Sequence, residues 1–373
     1  MNKERLVQTF LELVQIDSET RNERGVADYV TKKLQRMGYD VSEDKAGEAI
    51  GGNAGNVVAF RPGTAPAKRI LFCAHMDTVT PGNGVKPIVE GDVIRSQGDT
   101  ILGGDDKGGI AVLLEVAQTL QEEKIAHGSL HLVFTIAEEG GLNGAKNIDR
   151  SLLHGPIEAA FFLDSDDLPD KIVIEAPIQV NFEVIFHGKA AHAGCEPEKG
   201  ISAIQMAAEA ISNMTLGRID EETTANIGII QGGRATNIIT DKVVIEGECR
   251  SLDRDKLQAQ QAHMVACCEE AAKKFGGQAE VIVKENYPGI LLDPQSVPVK
   301  LAEAAARKIG MEPELIKIGG GSDANIFNGY GIPSTVLGVG MQNVHSTEEY
   351  ITVSAMMTAV EAVLAIIEEA KKA

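Results

Sequence analysis

The sequence predicts an α/β chain: one domain built on a sheet covered on both faces by helices, interrupted by an inserted α+β domain. Three observations predict it. A continuous apolar run at 70–74 and further apolar strands at 130–136 and 159–163 suit a sheet buried on both sides. Helical stripes alternate with them: Leu6, Phe10 and Leu13; Val26, Val30, Leu34 and Met37; then Ile110, Leu113, Leu114, Ala117 and Leu120. Between 177 and 290 the pattern changes to alternating strands at 181–186 and 242–250 with helices near 197–214 and 255–275, as expected of a sheet with one solvated face. After that the first pattern resumes, with a helix near 297–309, a short strand at 334–337 and a final stripe of Val353, Met357, Val360, Leu364 and Ile367. The expected domains are 1–176 plus 291–373, and 177–290.

Composition narrows the function. The 373 residues carry 54 Asp and Glu against 35 Lys and Arg, a formal charge of -19. No basic patch offsets this acidity, so nucleic acid, which is bound chiefly through Lys and Arg, is excluded as a partner. No stretch reaches the roughly 18 consecutive apolar residues of a membrane span. Lys3, Glu4, Arg5 and Glu12 interrupt the apolar pattern of the first 17 residues, which therefore lack a signal-peptide core of roughly 7 to 15 apolar residues. Five cysteines, Cys73, Cys195, Cys249, Cys267 and Cys268, form no spaced framework, and a cytoplasmic location is expected.

The polar groups gather where apolar runs end. His75 and Asp77 follow the first run, Glu138 and Glu139 the second, and Asp164 the third. Asp105 and Asp106 sit in a glycine-rich segment that opens a helix, and His345 lies near the end of the chain. In open α/β sheets, ligands bind beyond the carboxyl ends of the strands. Imidazole and carboxylate delivered there suit a metal of borderline hardness, and a divalent cation relieves the repulsion of gathered like charges.

Taken together, His75-Met76-Asp77-Thr78-Val79, Gly104-Asp105-Asp106-Lys107-Gly108-Gly109, Glu138-Glu139-Gly140, Asp164, Gly188-Lys189-Ala190-Ala191-His192-Ala193-Gly194, Gly320-Gly321-Ser322-Asp323 and Val344-His345-Ser346 resemble, in order and spacing, the M20 metallopeptidases, most of all their peptidase T branch. The resemblance covers essentially the whole chain. It implies a zinc-exopeptidase-like catalytic domain, a mixed sheet between helices, with an inserted lid or dimerisation domain. It further implies two zinc ions per subunit, with cobalt or manganese as substitutes. His75, Asp105 and Asp164 are then ligands of one ion and Glu139 and His345 of the other, with Asp105 bridging. Adjacency alone cannot choose Asp105 over Asp106, or Glu139 over Glu138.

In the same reading Asp77 orients the imidazole of His75, Glu138 is the general base, and His192 from the inserted domain stabilises the oxyanion. Arg250 and Asn237 resemble lid residues that grip the substrate's carboxylate or carbonyl. Ser322 and Asp323 open a helix whose free N–H groups can meet the substrate. Asp rather than Glu at position 164 goes with aminopeptidases and dipeptidases, so the implied activity is removal of the N-terminal residue from short peptides. An M20-type carboxypeptidase or N-acyl amino acid deacylase is the alternative, and a non-catalytic binding protein of the same fold is a further one. The resemblance also allows a homodimer formed through the inserted domain.

Overall fold

The computed structural model describes residues 1–372. They form two compact units. The first contains Met1–Ile174, Leu291–Lys317 and the chain from Ser322 onward; the second contains Glu175–Ile290 and Ile318–Gly321. The segment Ile318–Gly321, expected in the first domain, groups with the second for two local reasons. The Ile318 N–H donates to the Glu175 carbonyl at 3.0 Å. Gly321 lies so close to the Tyr287 ring that a Cβ there would stand 2.3 Å from it, which only glycine tolerates.

In the first unit six strands lie side by side in the order Asp40–Glu43, Val57–Arg61, Leu130–Thr135, Ile70–His75, Ala159–Phe162, Ser334–Val336. The last four run parallel and the first two antiparallel, so the sheet is mixed. Every residue of the Ile70–His75, Leu130–Thr135 and Ala159–Phe162 strands is buried, which is why they read as predominantly apolar runs without polar alternation. Helices Lys3–Val14, Arg24–Arg36, Gly104–Glu122, Val297–Lys308 and Val353–Glu369 carry the apolar stripes, and Phe10, Leu34, Leu113, Leu301 and Val360 join Phe72 and Phe134 in one core.

The parallel strands matter most for the site. His75 is in register with Thr135, and Cys73 is in register with both Val133 and Phe162. The three chains therefore leave the sheet at one edge, and His75–Asp77, Glu138–Glu139 and Asp164 emerge there together. A four-stranded sheet built from Met341–Gln342, Tyr350–Thr352, Val93–Ser96 and Pro87–Glu90 carries His345 in the loop between its first two members.

The second unit is an antiparallel sheet in the order Gly217–Arg218, Thr223–Gly232, Lys242–Ser251, Ile178–His187, Gln278–Tyr287. Val180, Phe182, Val184 and Phe186 alternate inward and meet helices Ala203–Asn213 and Arg254–Phe275 through Met206, Ala207, Met264 and Cys268. The helix expected over 197–214 is shorter. Pro197–Lys199 forms a separate 3-10 turn, and Lys189 and Ile201 then exchange backbone hydrogen bonds, both 2.9 Å, so the α-helix begins only where Ser202 caps it. Among the described residues, no helix is long and apolar enough to cross a membrane.

Candidate metal centre

The strand that ends in His75 places its imidazole at the sheet edge, almost wholly buried. Nδ1 donates to the Asp77 carbonyl at 2.9 Å, which fixes the tautomer and leaves the Nε2 lone pair facing outward. Nε2 lies 3.0 Å from Asp105 Oδ1 and 3.8 Å from Asp164 Oδ1. The other oxygen of Asp105 faces elsewhere. Asp105 Oδ2 is 3.3 Å from Nε2 of His345, which in turn is 2.8 Å from Glu139 Oε1. One carboxylate thus stands between two imidazoles, each accompanied by a second carboxylate.

Asp77 does more than the sequence suggests. Its carboxylate stands 3.5 Å from the ring of His75, and its own carbonyl is the nearer acceptor. The carboxylate oxygens accept the N–H groups of Glu138 at 2.9 Å and Glu139 at 3.2 Å, and the Thr20 hydroxyl at 2.8 Å. Asp77 therefore fixes the backbone of the acidic pair.

The tandem acids separate by partner. Asp106 is fully buried and accepts the His75 N–H at 3.2 Å and the Gly109 N–H at 3.0 Å, so it ties the helix start to the strand end. A Cβ on Gly109 would meet the Asp106 carboxylate at 2.4 Å, so that close approach requires glycine. Asp105 instead faces the imidazoles.

The electrostatics reflect crowding. Burial drives Glu138, Asp164 and Asp106 well above the ordinary carboxyl range, and neighbouring carboxylates add to it: Asp164 acts on Glu138, and Asp105 acts on Asp164. Burial opposes charge on His75, yet hydrogen bonds to Asp105 and Asp77 outweigh it and raise its pKa well above the usual value. Hydrogen bonds to Asp105 and Glu139 lift His345 to about 10.

The donor set fits a divalent metal. Ligand atoms of His75, Asp105 and Glu139 all lie within 4.8 Å of one another. Two ligands at the usual zinc bond lengths and a tetrahedral angle sit about 3.3 Å apart, close to the separations around Asp105. Imidazole nitrogen mixed with carboxylate oxygen suits zinc, cobalt or manganese.

The remaining candidates divide between the units. In the second unit, His192 is exposed, and its Nδ1 accepts the N–H groups of Gly194 and Cys195, both at 3.2 Å. Its ring proton is therefore on Nε2. Asn237 is exposed and its carbonyl accepts the Ala193 N–H at 3.0 Å, so it neighbours His192. The guanidinium of Arg250 is engaged by Glu248 through two contacts, 2.9 and 2.8 Å.

In the first unit, Ser322 caps the short helix Asp323–Gly329. The amides expected to be free there are in part used: Ser322 Oγ accepts the Ala324 N–H, and Asn325 Oδ1 accepts the Ser322 N–H. Both side chains are buried, and burial pushes the Asp323 carboxyl up to about 7.

Sequence reasoning missed the residues that hold the ligand segments. Glu23 accepts the N–H groups of Arg21 at 2.8 Å and Ala137 at 3.1 Å, directly before Glu138. Asn56 Oδ1 accepts the Ile136 N–H at 3.1 Å, and the buried Lys107 donates to the Ile16 carbonyl at 2.8 Å. Glu349 accepts backbone N–H groups from the loop that carries Asp105. Asn56 at least heads an apolar run, whereas Glu23, Lys107 and Glu349 sit among polar and glycine neighbours that give their roles no signal.

The chain is similar in sequence and fold to known proteins. The model of the peptidase family M20/M25/M40 matches residues 71–369. The aminopeptidase PepT structure from Bacillus cereus is 46% identical, covers 99% of both chains and superposes with a TM-score of 0.89. A tripeptidase structure from Staphylococcus aureus is 42% identical over 100% of both chains, with a TM-score of 0.94. The uncharacterised protein YqjE of Bacillus subtilis is 47% identical over 372 residues, 100% of each chain. With its sheet-edge cluster of His75, Asp105 and Glu139 in place, the chain belongs to the peptidase family M20/M25/M40, as a peptidase T-like member of it.

Proposed function

We propose that the chain is a di-zinc exopeptidase that releases the N-terminal residue of short peptides. The observation that carries this reading is Asp105, whose two oxygens address different imidazoles, His75 at 3.0 Å and His345 at 3.3 Å. In this reading His75, Asp105 and Asp164 would hold one ion and Glu139 and His345 the other, with Asp105 available to both. Cobalt or manganese would be accepted by the same donors. When bound, such a pair supplies a water activated at neutral pH and polarises the scissile carbonyl.

The chain's own residues do the rest. Glu138, buried beside the cluster and held through its N–H by Asp77, takes the proton from the attacking water and returns it to the leaving amine. His192, with its proton on Nε2, donates to the developing oxyanion. Arg250 and Asn237 bind the far carboxylate or carbonyl of the peptide, and Arg250 exchanges its Glu248 partner for the substrate. The proposed location is the cytoplasm, consistent with five cysteines that form no disulfide among the described residues. A homodimer through the second unit belongs to the same reading; exposed Ile229 and Ile282 on one open sheet face are apolar surface for it to cover.

The test is selectivity. Purified protein supplied with zinc is expected to release the first residue of unblocked di- and tripeptides and to spare N-acetylated ones. Faster hydrolysis of the N-acyl substrates would overturn the aminopeptidase reading in favour of a deacylase.

A further inference from the structure

We propose that Glu349 is a positioning residue that locks the loop of Asp105 to the loop of His345, so that a single buried carboxylate sets the spacing between the two halves of the metal site. This rests on the metal-binding reading above. Glu349 lies four residues after His345 and is 1% exposed. Its Oε2 accepts the N–H groups of Leu102 at 2.8 Å and Gly103 at 2.7 Å, and its Oε1 accepts the N–H of Asp105 at 3.0 Å. Consecutive backbone N–H groups turned inward form an anion-binding concavity, and here the anion is a side chain of the same protein.

The other end of Glu349 is tied to His345. Its own N–H donates to the Ser346 carbonyl at 3.1 Å. Ser346 Oγ donates to the Asn343 carbonyl at 2.6 Å, closing a turn in which Asn343 and His345 both adopt left-handed backbone, at φ of 54° and 61°. A non-glycine residue keeps that conformation only when its surroundings over-determine it. The mechanical path from one half of the site to the other is therefore short: Asp105 N–H, the Glu349 carboxylate, the Glu349 N–H, the Ser346 carbonyl, His345.

The cradle is fitted to a carboxylate. A Cβ on Gly104 would stand 3.1 Å from Glu349 Oε1, a tight contact, so the loop lies close against the carboxylate. Hydrogen bonds to an ionised acceptor are shorter and about twice as strong as neutral ones. Glutamine offers one acceptor oxygen. If it keeps Leu102 and Gly103, its NH2 group must face the Asp105 N–H, donor against donor, so Glu349→Gln releases Asp105 selectively at nearly constant volume.

The experiment is a calorimetric zinc titration of metal-free protein, with the thermal midpoint of the same metal-free samples measured in parallel. Wild type and Glu348→Gln, a change at the exposed neighbour, are expected to bind two ions alike. In Glu349→Gln the weaker zinc affinity is expected to fall about 10- to 100-fold, the usual effect of losing an outer-shell partner, while the metal-free midpoint stays near that of wild type. Unchanged affinities overturn the proposal, and so does weakening that merely tracks a lowered midpoint. If Glu349→Gln does not fold, Glu349→Asp, which keeps the charge but withdraws it by one methylene, is judged by the same two criteria. Failure of wild type to bind zinc at all would instead remove the metal reading itself, a result distinct from a variant that binds like wild type.

Discussion

Asp77 Oδ1 accepts the backbone N–H of Glu138 at 2.9 Å, and through this contact the residue beside the first imidazole also fixes the proposed base. The same carboxylate takes the Glu139 N–H and the Thr20 hydroxyl. His75, Glu138 and Glu139 therefore share one anchor. Asp77→Asn keeps the shape but leaves only one oxygen for three donors. The expected result is a 10- to 100-fold loss of kcat/KM, typical of disturbed outer-shell partners, with weaker zinc retention during dialysis. Steady-state kinetics and metal analysis check it; an unchanged kcat/KM would show that the anchor is dispensable.

Glu138→Gln separates chemistry from metal binding. Glu138 is buried, and its N–H contact to Asp77 does not depend on its side chain. The amide cannot carry a proton from water to amine, so kcat is expected to fall by about 10²- to 10⁴-fold. Bound zinc, measured by elemental analysis, stays as in wild type. Unchanged turnover would remove Glu138 from the base role.

His192 makes a complementary prediction. Because Nδ1 is occupied by the Gly194 and Cys195 amides, the ring presents an Nε2 proton without needing to be charged. His192→Ala is expected to lower kcat about 10²- to 10³-fold, the scale of one lost oxyanion donor, with zinc content untouched. A change confined to KM would instead make His192 a ground-state binding residue.

How much of this was legible in the sequence depends on the reach of each interaction. The Ile70–His75, Leu130–Thr135 and Ala159–Phe162 strands declare themselves because burial on both faces writes an apolar run into consecutive positions. Thr223–Gly232 escapes notice because a shift of register between Ile227 and Ile229 interrupts its alternation, and its place is set by pairing with Lys242–Ser251, where Ala225 faces Cys249. The pairs Asp105–Asp106 and Glu138–Glu139 are chemically identical as letters. For the aspartates, only the direction each side chain takes, Asp105 toward imidazole and Asp106 toward backbone, tells them apart. Glu349 is the extreme case, since the Leu102 amide that it binds lies 247 residues earlier in the chain.

The last prediction concerns acid stability away from the metal centre. His131, in the Leu130–Thr135 strand, is 0% exposed, packs 4.9 Å from the Phe60 ring, and accepts the His154 backbone N–H on Nε2 at 3.0 Å. An acceptor ring must be neutral, and burial, helped by the charges of His154 and Arg69, pushes its pKa down from 6.5 to about 4. The sign follows from the proton count. Above pH 6.5 neither folded nor unfolded chain protonates this ring, and its contribution to stability is complete. Between 6.5 and about 4 the unfolded chain binds a proton that the folded one refuses, so stability falls as the pH falls. From pH 7.5 to 5 the loss amounts to about 2 kcal/mol, taking 1.36 kcal/mol per unit. His131→Gln keeps an oxygen for the His154 N–H and cannot titrate. In urea unfolding of metal-free protein, the stability gap between wild type and His131→Gln is therefore expected to shift by about 2 kcal/mol in the variant's favour from pH 7.5 to 5. A gap independent of pH would show that His131 is not the acid-sensitive group.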